Sequence, residues 1–291
     1  MQQLMLPVEV RKSNVLVRAR WRTDTVYALR VVALVAARIT AKDKDFKSYS
    51  FPAAEIFQVD SADELGGWSY RRLKELATQI AGTPVTILDD PINQEFEIVT
   101  LFTRCRYTKK SGLFEVQLHP DLKPHFLQLR EQLTQYTQYN LLEFMRLPSI
   151  YAQRLFEVLC SYHKTHSEVI IDMEDLQDRL AVPASLKKNF KDFRKRVLEP
   201  AHKSISKKTS LAYEWEPVRK GRKVVGVCFI FSKGKVAKVE AKKEEGDKQK
   251  FSQKRNELVK KSKACRESGP CAGPKKSEIC EICVSFWGAI S

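Results

Sequence analysis

Between residues 185 and 205, Lys188, Lys191, Lys195, Arg196 and Lys203 fall on one side of a helical wheel, together with His202; Lys187 precedes them. Phe190, Phe193, Val197, Ala201 and Ile205 recur at steps of three and four on the opposite side, so the segment is a helix with one apolar and one cationic face. Arg194 falls near the apolar edge. Further on, Arg219-Lys220-Gly221-Arg222-Lys223 packs four cations into five residues. Ammonium and guanidinium groups in such arrays make and break no bonds. They hold phosphate oxygens, and an arginine fork can also read the acceptors on a guanine edge. A lysine-faced helix is more often simply solvated, so the weight rests on its neighbours.

Those neighbours come in a meaningful order. Asp172 is placed to cap a short helix whose stripe is Met173, Leu176 and Leu180. Ala181-Val182-Pro183 stops it, because proline restricts the preceding residue and cannot continue the ladder. The cationic helix then opens near Ser185, and Pro200 inside it predicts a kink or the end of its first part. Leu211 to Glu216 alternates as a strand, Val224 to Phe231 is a second β-rich run, and the cationic pentapeptide is the turn between them. Two helices at an angle and a hairpin make a helix-turn-helix with a wing. The second helix suits a major groove, and the hairpin tip suits the adjacent phosphates.

At these residues the chain resembles the plasmid replication initiators that bind iterons, the directly repeated sequences of an origin. Asn189-Phe190-Lys191-Asp192-Phe193-Arg194-Lys195-Arg196-Val197-Leu198-Glu199-Pro200-Ala201 is similar to the family's helix motif. Lys208-Thr209-Ser210-Leu211 followed by Arg219-Lys220-Gly221-Arg222-Lys223-Val224-Val225-Gly226 is similar to its hairpin motif. The resemblance covers roughly Arg11 to Phe231. It implies two tandem winged-helix domains, iteron binding, origin opening, and recruitment of the host initiator and helicase. It also implies a monomer–homodimer equilibrium, with dimers repressing the chain's own gene and Val85 to Leu118 as the dimer contact.

The residue types offer no catalytic arrangement. A rolling-circle nickase needs two histidines one residue apart and a nearby tyrosine; His119, His125, His163, His166 and His202 are not so spaced. His163 and His166, three apart at a helix end, suit a solvated pair beside the helix dipole better than a metal. No glycine-rich phosphate loop ending in Lys-Ser or Lys-Thr occurs. Asp172, Glu174, Asp175 and Asp178 lie at a helix start, where capping explains them. Cys280-Glu281-Ile282-Cys283 has zinc-pair spacing, but Cys265 and Cys271 do not, so an unstructured reduced tail is expected in preference to a zinc site. No enzyme activity and no cofactor are expected.

The formal net charge is +16 over 291 residues, and +7 of it falls in residues 232–291, so both parts of the chain carry the excess. This favours a polyanion, and duplex DNA is the expected partner. No membrane role is expected, since the most apolar helical run, Val31 to Ala37, is flanked closely by Arg30 and Arg38. Glu9, Arg11 and Lys12 interrupt any signal-peptide core, so a cytoplasmic protein with reduced thiols is expected. Cys105, Cys160 and Cys228 sit in apolar elements and should pack.

Taken in order, residues 1–23 read as an extended arm, with Arg18, Arg20 and Arg22 alternating around Val17, Ala19 and Trp21 as possible DNA contacts. Asp24 can cap a helix with a stripe of Val26, Leu29, Val32, Val35 and Ile39. Tyr49 to Phe51 is a strand, and a small helix follows Pro52. After a Gly66-Gly67 turn, a helix from Trp68 to Ala81 turns Tyr70, Leu73, Leu76, Ala77 and Ile80 inward and Arg71, Arg72 and Lys74 elsewhere. Three β runs follow: Val85 to Leu88, Glu95 to Thr103 and Leu113 to Leu118. A linking helix carries Leu122, Phe126, Leu129 and Leu133. The polar stretch Tyr136 to Asn140 marks a boundary, and Ser149 caps the next helix.

Tyr70/Leu73/Leu76 matches Phe190/Phe193/Val197 in spacing about 120 residues later, so the halves repeat at domain scale. The expected architecture is α+β: an arm at 1–23, winged helices at 24–135 and 141–231, and a disordered basic tail at 232–291. The first domain would give auxiliary DNA contacts through Arg71, Arg72 and Lys74, and the family resemblance implies that it also carries the dimer contact. The second would be the main reader. Two alternatives stay open: a winged-helix transcriptional regulator without a replication role, and a nicking initiator with a hidden site.

Overall fold

The computed structural model describes residues 9–58, 68–90, 92–129 and 135–231. The Gly66-Gly67 turn, Leu133 and the tail with Cys265, Cys271, Cys280 and Cys283 lie outside them. The first half runs β1 (Glu9–Ser13), α1 (Asn14–Arg18), β2 (Arg20–Trp21), α2 (Val26–Arg38), β3 (Tyr49–Pro52), α3 (Ala53–Phe57) and α4 (Trp68–Gly82). It continues with β4 (Pro84–Asp90), β5 (Glu95–Thr100), β6 (Phe102–Thr108), β7 (Leu113–Leu118), a 3-10 turn (Pro120–Leu122) and α5 (Lys123–Phe126). The second half runs β8 (Tyr136–Asn140), α6 (Leu141–Met145), α7 (Ile150–Cys160), β9 (Glu168–Asp172), α8 (Met173–Arg179) and α9 (Ala184–Lys187). Then come α10 (Phe190–Phe193), a π turn (Arg194–Leu198), α11 (Glu199–Lys208), β10 (Tyr213–Lys220) and β11 (Lys223–Phe231).

The most apolar helix makes the centre of the first half. Every residue of α2 from Ala28 to Ala37 is buried, including Arg30, whose Nη2 donates to the Met145 carbonyl at 2.9 Å. Its cap is Thr25, one residue later than the expected Asp24: the Thr25 hydroxyl accepts the Tyr27 N–H at 3.2 Å, while exposed Asp24 faces Arg22 at 3.8 Å. In α4, Leu73, Leu76 and Ile80 point into this core as expected. Tyr70 does not; it is 59% exposed in the first turn of α4.

From Glu9 onward the segment expected as an arm is packed into the fold. β1 pairs antiparallel with β8, from Glu9 opposite Asn140 to Ser13 opposite Tyr136. Val17, Ala19 and Trp21 are all buried, so the arginines between them ride on a packed segment. The polar stretch expected as a boundary is therefore a strand, because Thr137 and Tyr139 bury one face whatever the polarity of Gln138 and Asn140.

Two antiparallel sheets complete the first half, in the orders β2-β4-β5 and β3-β7-β6. The run expected as one strand from Glu95 to Thr103 breaks at buried Leu101, whose carbonyl accepts the His119 N–H at 3.0 Å. There the chain passes from one sheet to the other. β6 then reaches Thr108, because Cys105 and Tyr107 pack inward while Arg104 and Arg106 stay in solvent.

The second half matches expectation more closely. Ser149 caps α7 through the Ala152 N–H at 3.1 Å, and Asp172 caps α8 through the Glu174 N–H at 2.8 Å. The sheet order is β10-β11-β9. Gly221 at the hairpin tip has φ +62°, the left-handed region that glycine adopts without strain. Gly226 is required by contact: a Cβ there would lie 2.8 Å from the Ile171 carbonyl oxygen of β9. Gly226→Ala should push β9 from β11 and lower the thermal midpoint by several degrees, readable by calorimetry. An unchanged midpoint would mean that the strands can part without cost.

Cys105, Cys160 and Cys228 are free, and burial pushes each thiol up, Cys105 to about 12. α7 packs against α1, α2 and β8 and also against α11 and the π turn, so it serves both halves.

Candidate nucleic-acid interface

The cationic helix starts later than its hydrophobic pattern implies. Ser185 lies in α9, a separate single turn. Asn189 has extended φ of −146° and takes the Asp192 N–H on its side chain at 2.8 Å, so the helix opens at Phe190. Pro200 marks the end of the helix's first part, as expected: α10 gives way to the π turn, and α11 opens at Glu199. The Glu199 N–H donates back to the Arg194 carbonyl, five residues earlier, and this wide turn places Pro200 in the first turn of α11, where no N–H is needed.

The π turn adds a residue to one turn, which changes the wheel. Phe193, Val197, Leu198, Ala201 and Ile205 are all buried; Leu198 was not among the expected core positions. Lys191, Lys195, Arg196 and Lys203 are exposed along the helix, and exposed Lys188 sits just before its cap. Arg194, placed near the apolar edge on an ideal wheel, is 56% exposed. Its Nε donates to Glu199 Oε1 at 2.7 Å, and its guanidinium lies 6.0 Å from the Trp215 ring of β10. Only the proline after a run of basic residues could have signalled this turn.

Two expected residues lie elsewhere. His202 is half-buried, edge-on to the Tyr213 ring at 4.8 Å, so it packs the helix onto the hairpin. Lys187 pairs with Asp178 of α8 and braces the turn between the helices. At the wing, Arg219, Lys220, Arg222 and Lys223 are all exposed around Gly221. Among the described residues, none of these four, nor Lys188, Lys191, Lys195, Arg196 or Lys203, has a carboxylate within ion-pair distance. Helix and wing thus present a row of uncompensated positive charge.

The first half repeats the plan with weaker charge. On α4, Arg71 lies 3.9 Å from Glu75, Lys74 is exposed and Arg72 is half-buried. The β6–β7 hairpin adds exposed Arg104, Arg106, Lys109 and Lys110, with Gly112 at φ +67° in its turn. His163 Nδ1 donates to the Cys160 carbonyl and His166 Nδ1 hydrogen-bonds the Thr165 hydroxyl, so the two rings are held by different partners. Among the described residues no three His, Cys, Asp or Glu side chains converge on a metal position, and no helix is long and apolar enough to cross a membrane.

Residues 9–160 match the model described as initiator replication protein, WH1, and residues 172–231 match that of initiator Rep protein, WH2. The chain belongs to the initiator replication protein family. Its α+β architecture is therefore two winged helices in tandem, α4 with β6–β7 in the first and α10–α11 with β10–β11 in the second. Among solved structures, the Pi initiator protein in complex with iteron DNA is 19% identical with a TM-score of 0.60, covering 78% of this chain and 98% of that one. Domains 2 and 3 of RctB are 10% identical with a TM-score of 0.40, covering 76% of this chain and 85% of that one. The WH1 match runs through α7, the helix that both halves share.

Proposed function

We propose that this initiator replication protein starts replication of a plasmid by binding the directly repeated sequences, iterons, of its origin as duplex DNA. The observation that carries the reading is the unpaired cationic row on α10–α11 and the adjoining β10–β11 tip. The same fold occurs in a solved initiator bound to iteron DNA. In this reading Lys191, Lys195, Arg196 and Lys203 enter the major groove with Lys188 at its edge, and Arg194 joins them. Arg219, Lys220, Arg222 and Lys223 hold the neighbouring phosphates. Arg71, Lys74 and the β6–β7 cations give the first domain a second, mostly electrostatic contact, with half-buried Arg72 beneath it. The chain works in the cytoplasm by binding alone; it opens the origin by deforming the duplex it grips and brings in the host initiator and helicase.

A homodimer that represses the chain's own gene completes the proposal. Its surface is the β4–β5 hairpin: β5 is a sheet edge, and Phe96 is 74% and Ile98 54% exposed, with Ile92 and Leu88 beside them. Phe96→Lys with Ile98→Lys should leave only monomer in sedimentation velocity and should relieve repression. Persistence of dimers would move the contact elsewhere.

The functional test is maintenance of a replicon carrying the repeats that flank the gene. The chain supplied in trans should sustain it, and a chain lacking the four wing cations should not. Repression of a reporter without replicon maintenance would leave a regulator in place of an initiator.

A further inference from the structure

A set of buried charges between the two winged helices has no part in DNA contact. Glu157 of α7 is fully buried and faces two cations: Lys12 of β1, and Arg154 of α7, whose Nη1 donates to Glu157 Oε2 at 3.2 Å. The Tyr139 hydroxyl of β8 donates to the same carboxylate at 2.5 Å. Arg154 then reaches out of the knot in two directions. Its Nη2 donates to the Ala19 carbonyl at 2.8 Å, between α1 and β2, and to the Arg179 carbonyl of α8 at 3.2 Å. One guanidinium thus ties the amino-terminal segment to the first helix of the second helix-turn-helix.

The residues on either side of Ala19 repeat the tie. Arg18 donates from Nε and Nη2 to the side chain and carbonyl of Ser161, each at 3.0 Å, and its guanidinium lies 3.9 Å from the Tyr162 ring centroid. The Tyr162 hydroxyl in turn accepts from Arg179 at 3.1 Å. Arg20 stands between Asp89 of β4 at 3.2 Å and Asp175 and Asp178 of α8 at 3.8 and 3.9 Å. Two of the three arginines that alternate along the supposed arm, Arg18 and Arg20, thus join the two halves.

We propose that Arg154, seated on Glu157 and joined by Arg18 and Arg20, is a positioning clasp that fixes the separation and rotation of the two winged helices, so that both engage one duplex in phase. Burying two cations on one carboxylate is a poor way to gain stability, since desolvation offsets the attraction. It is a good way to select one arrangement, because any other leaves a charge unpaired in the interior. Two readers that must meet successive grooves on one face of a duplex need such a fixed arrangement; a loose joint would let each bind alone.

This inference rests on the duplex-binding reading, and the test separates the two. The probe is a duplex selected from a random pool by the wild-type chain, together with a copy carrying about five extra base pairs, half of the roughly 10.5-bp turn, between its two protected halves. Wild-type affinity should fall about a hundredfold or more on insertion, whereas Arg154→Lys and the milder pair Arg18→Ala with Arg20→Ala should lose less than about threefold from their own starting value. The Arg18/Arg20 pair leaves the buried knot in place, so it reports if Arg154→Lys does not fold. In the free protein, 15N relaxation should give one tumbling time for both domains of the wild type and two for the variants. A folded variant that keeps the wild-type insertion penalty and a single tumbling time overturns the clasp. If the wild type selects no duplex, the DNA reading falls, and the relaxation result alone decides the clasp.

Discussion

Replacing Lys195 and Arg196 with alanine should weaken binding to a repeat-bearing duplex by about a hundredfold or more, since a bidentate arginine contact alone is worth about 1–3 kcal/mol. Both side chains stand in solvent and no carboxylate lies within ion-pair distance of either among the described residues. The thermal midpoint should therefore move by no more than about 1–2 °C. Phe193 and Val197, interleaved with them, are fully buried, and Phe193→Ala should instead cost about 3–5 kcal/mol of stability. Anisotropy and calorimetry on the two variants separate groove from core. A collapse of the midpoint in the Lys195/Arg196 variant would show that the π turn presents a different face than the one described.

The second large effect lies in the buried knot. Glu157→Ala leaves Lys12 and Arg154 unneutralised in the interior and should cost about 3–5 kcal/mol. Lys12→Met should be close to neutral or stabilising, because Arg154 remains to balance Glu157. The pH dependence follows from the same charges. Burial alone would raise the Glu157 carboxyl, but Lys12 and Arg154 hold it below the usual range. Its folded value thus lies below its unfolded one, so its stabilisation is complete above about pH 4.3 and is lost as pH falls through the folded value. Glu157→Gln should flatten that acid limb. Burial pushes Lys12 down, with Glu157 offsetting only part of it. The unfolded chain then holds that proton more tightly, and stability should rise as pH climbs toward about 10.4. Lys12→Met should remove that rise. Equal denaturant midpoints for Glu157→Ala and Lys12→Met would show that the knot is not held by charge.

The second winged helix was largely legible because its signals are local. The Asp172 cap, the stop at Pro183, the alternating strands and the Gly221 turn each act within a few residues. Where local reading failed, a long-range partner decided. β1 and β8 find each other across more than a hundred residues, and no alternation in Glu9–Ser13 reveals Tyr136–Asn140 as its partner. Arg18 and Arg20 look like solvent-facing residues of a strand, yet their partners, Ser161, Asp175 and Asp178, come from the other half. The π turn lies between these cases. Pro200 predicts a disturbance, but only the wide hydrogen bond from Glu199 to Arg194 shows that the helix absorbs it by widening one turn.

Anisotropy titration at several salt concentrations would show whether the second winged helix reads sequence while its wing holds phosphates. The duplexes would be the repeats upstream of the gene and a scrambled control, with the wild-type chain and a variant in which Arg219, Lys220, Arg222 and Lys223 are alanine. The wild-type chain should prefer the repeats by at least about a hundredfold, with log affinity falling linearly in log salt. The wing variant should keep that preference and lose about one unit of salt slope for each phosphate contact removed. Equal affinity of the wild type for both duplexes would contradict it, leaving the α10–α11 face a basic surface that does not read sequence.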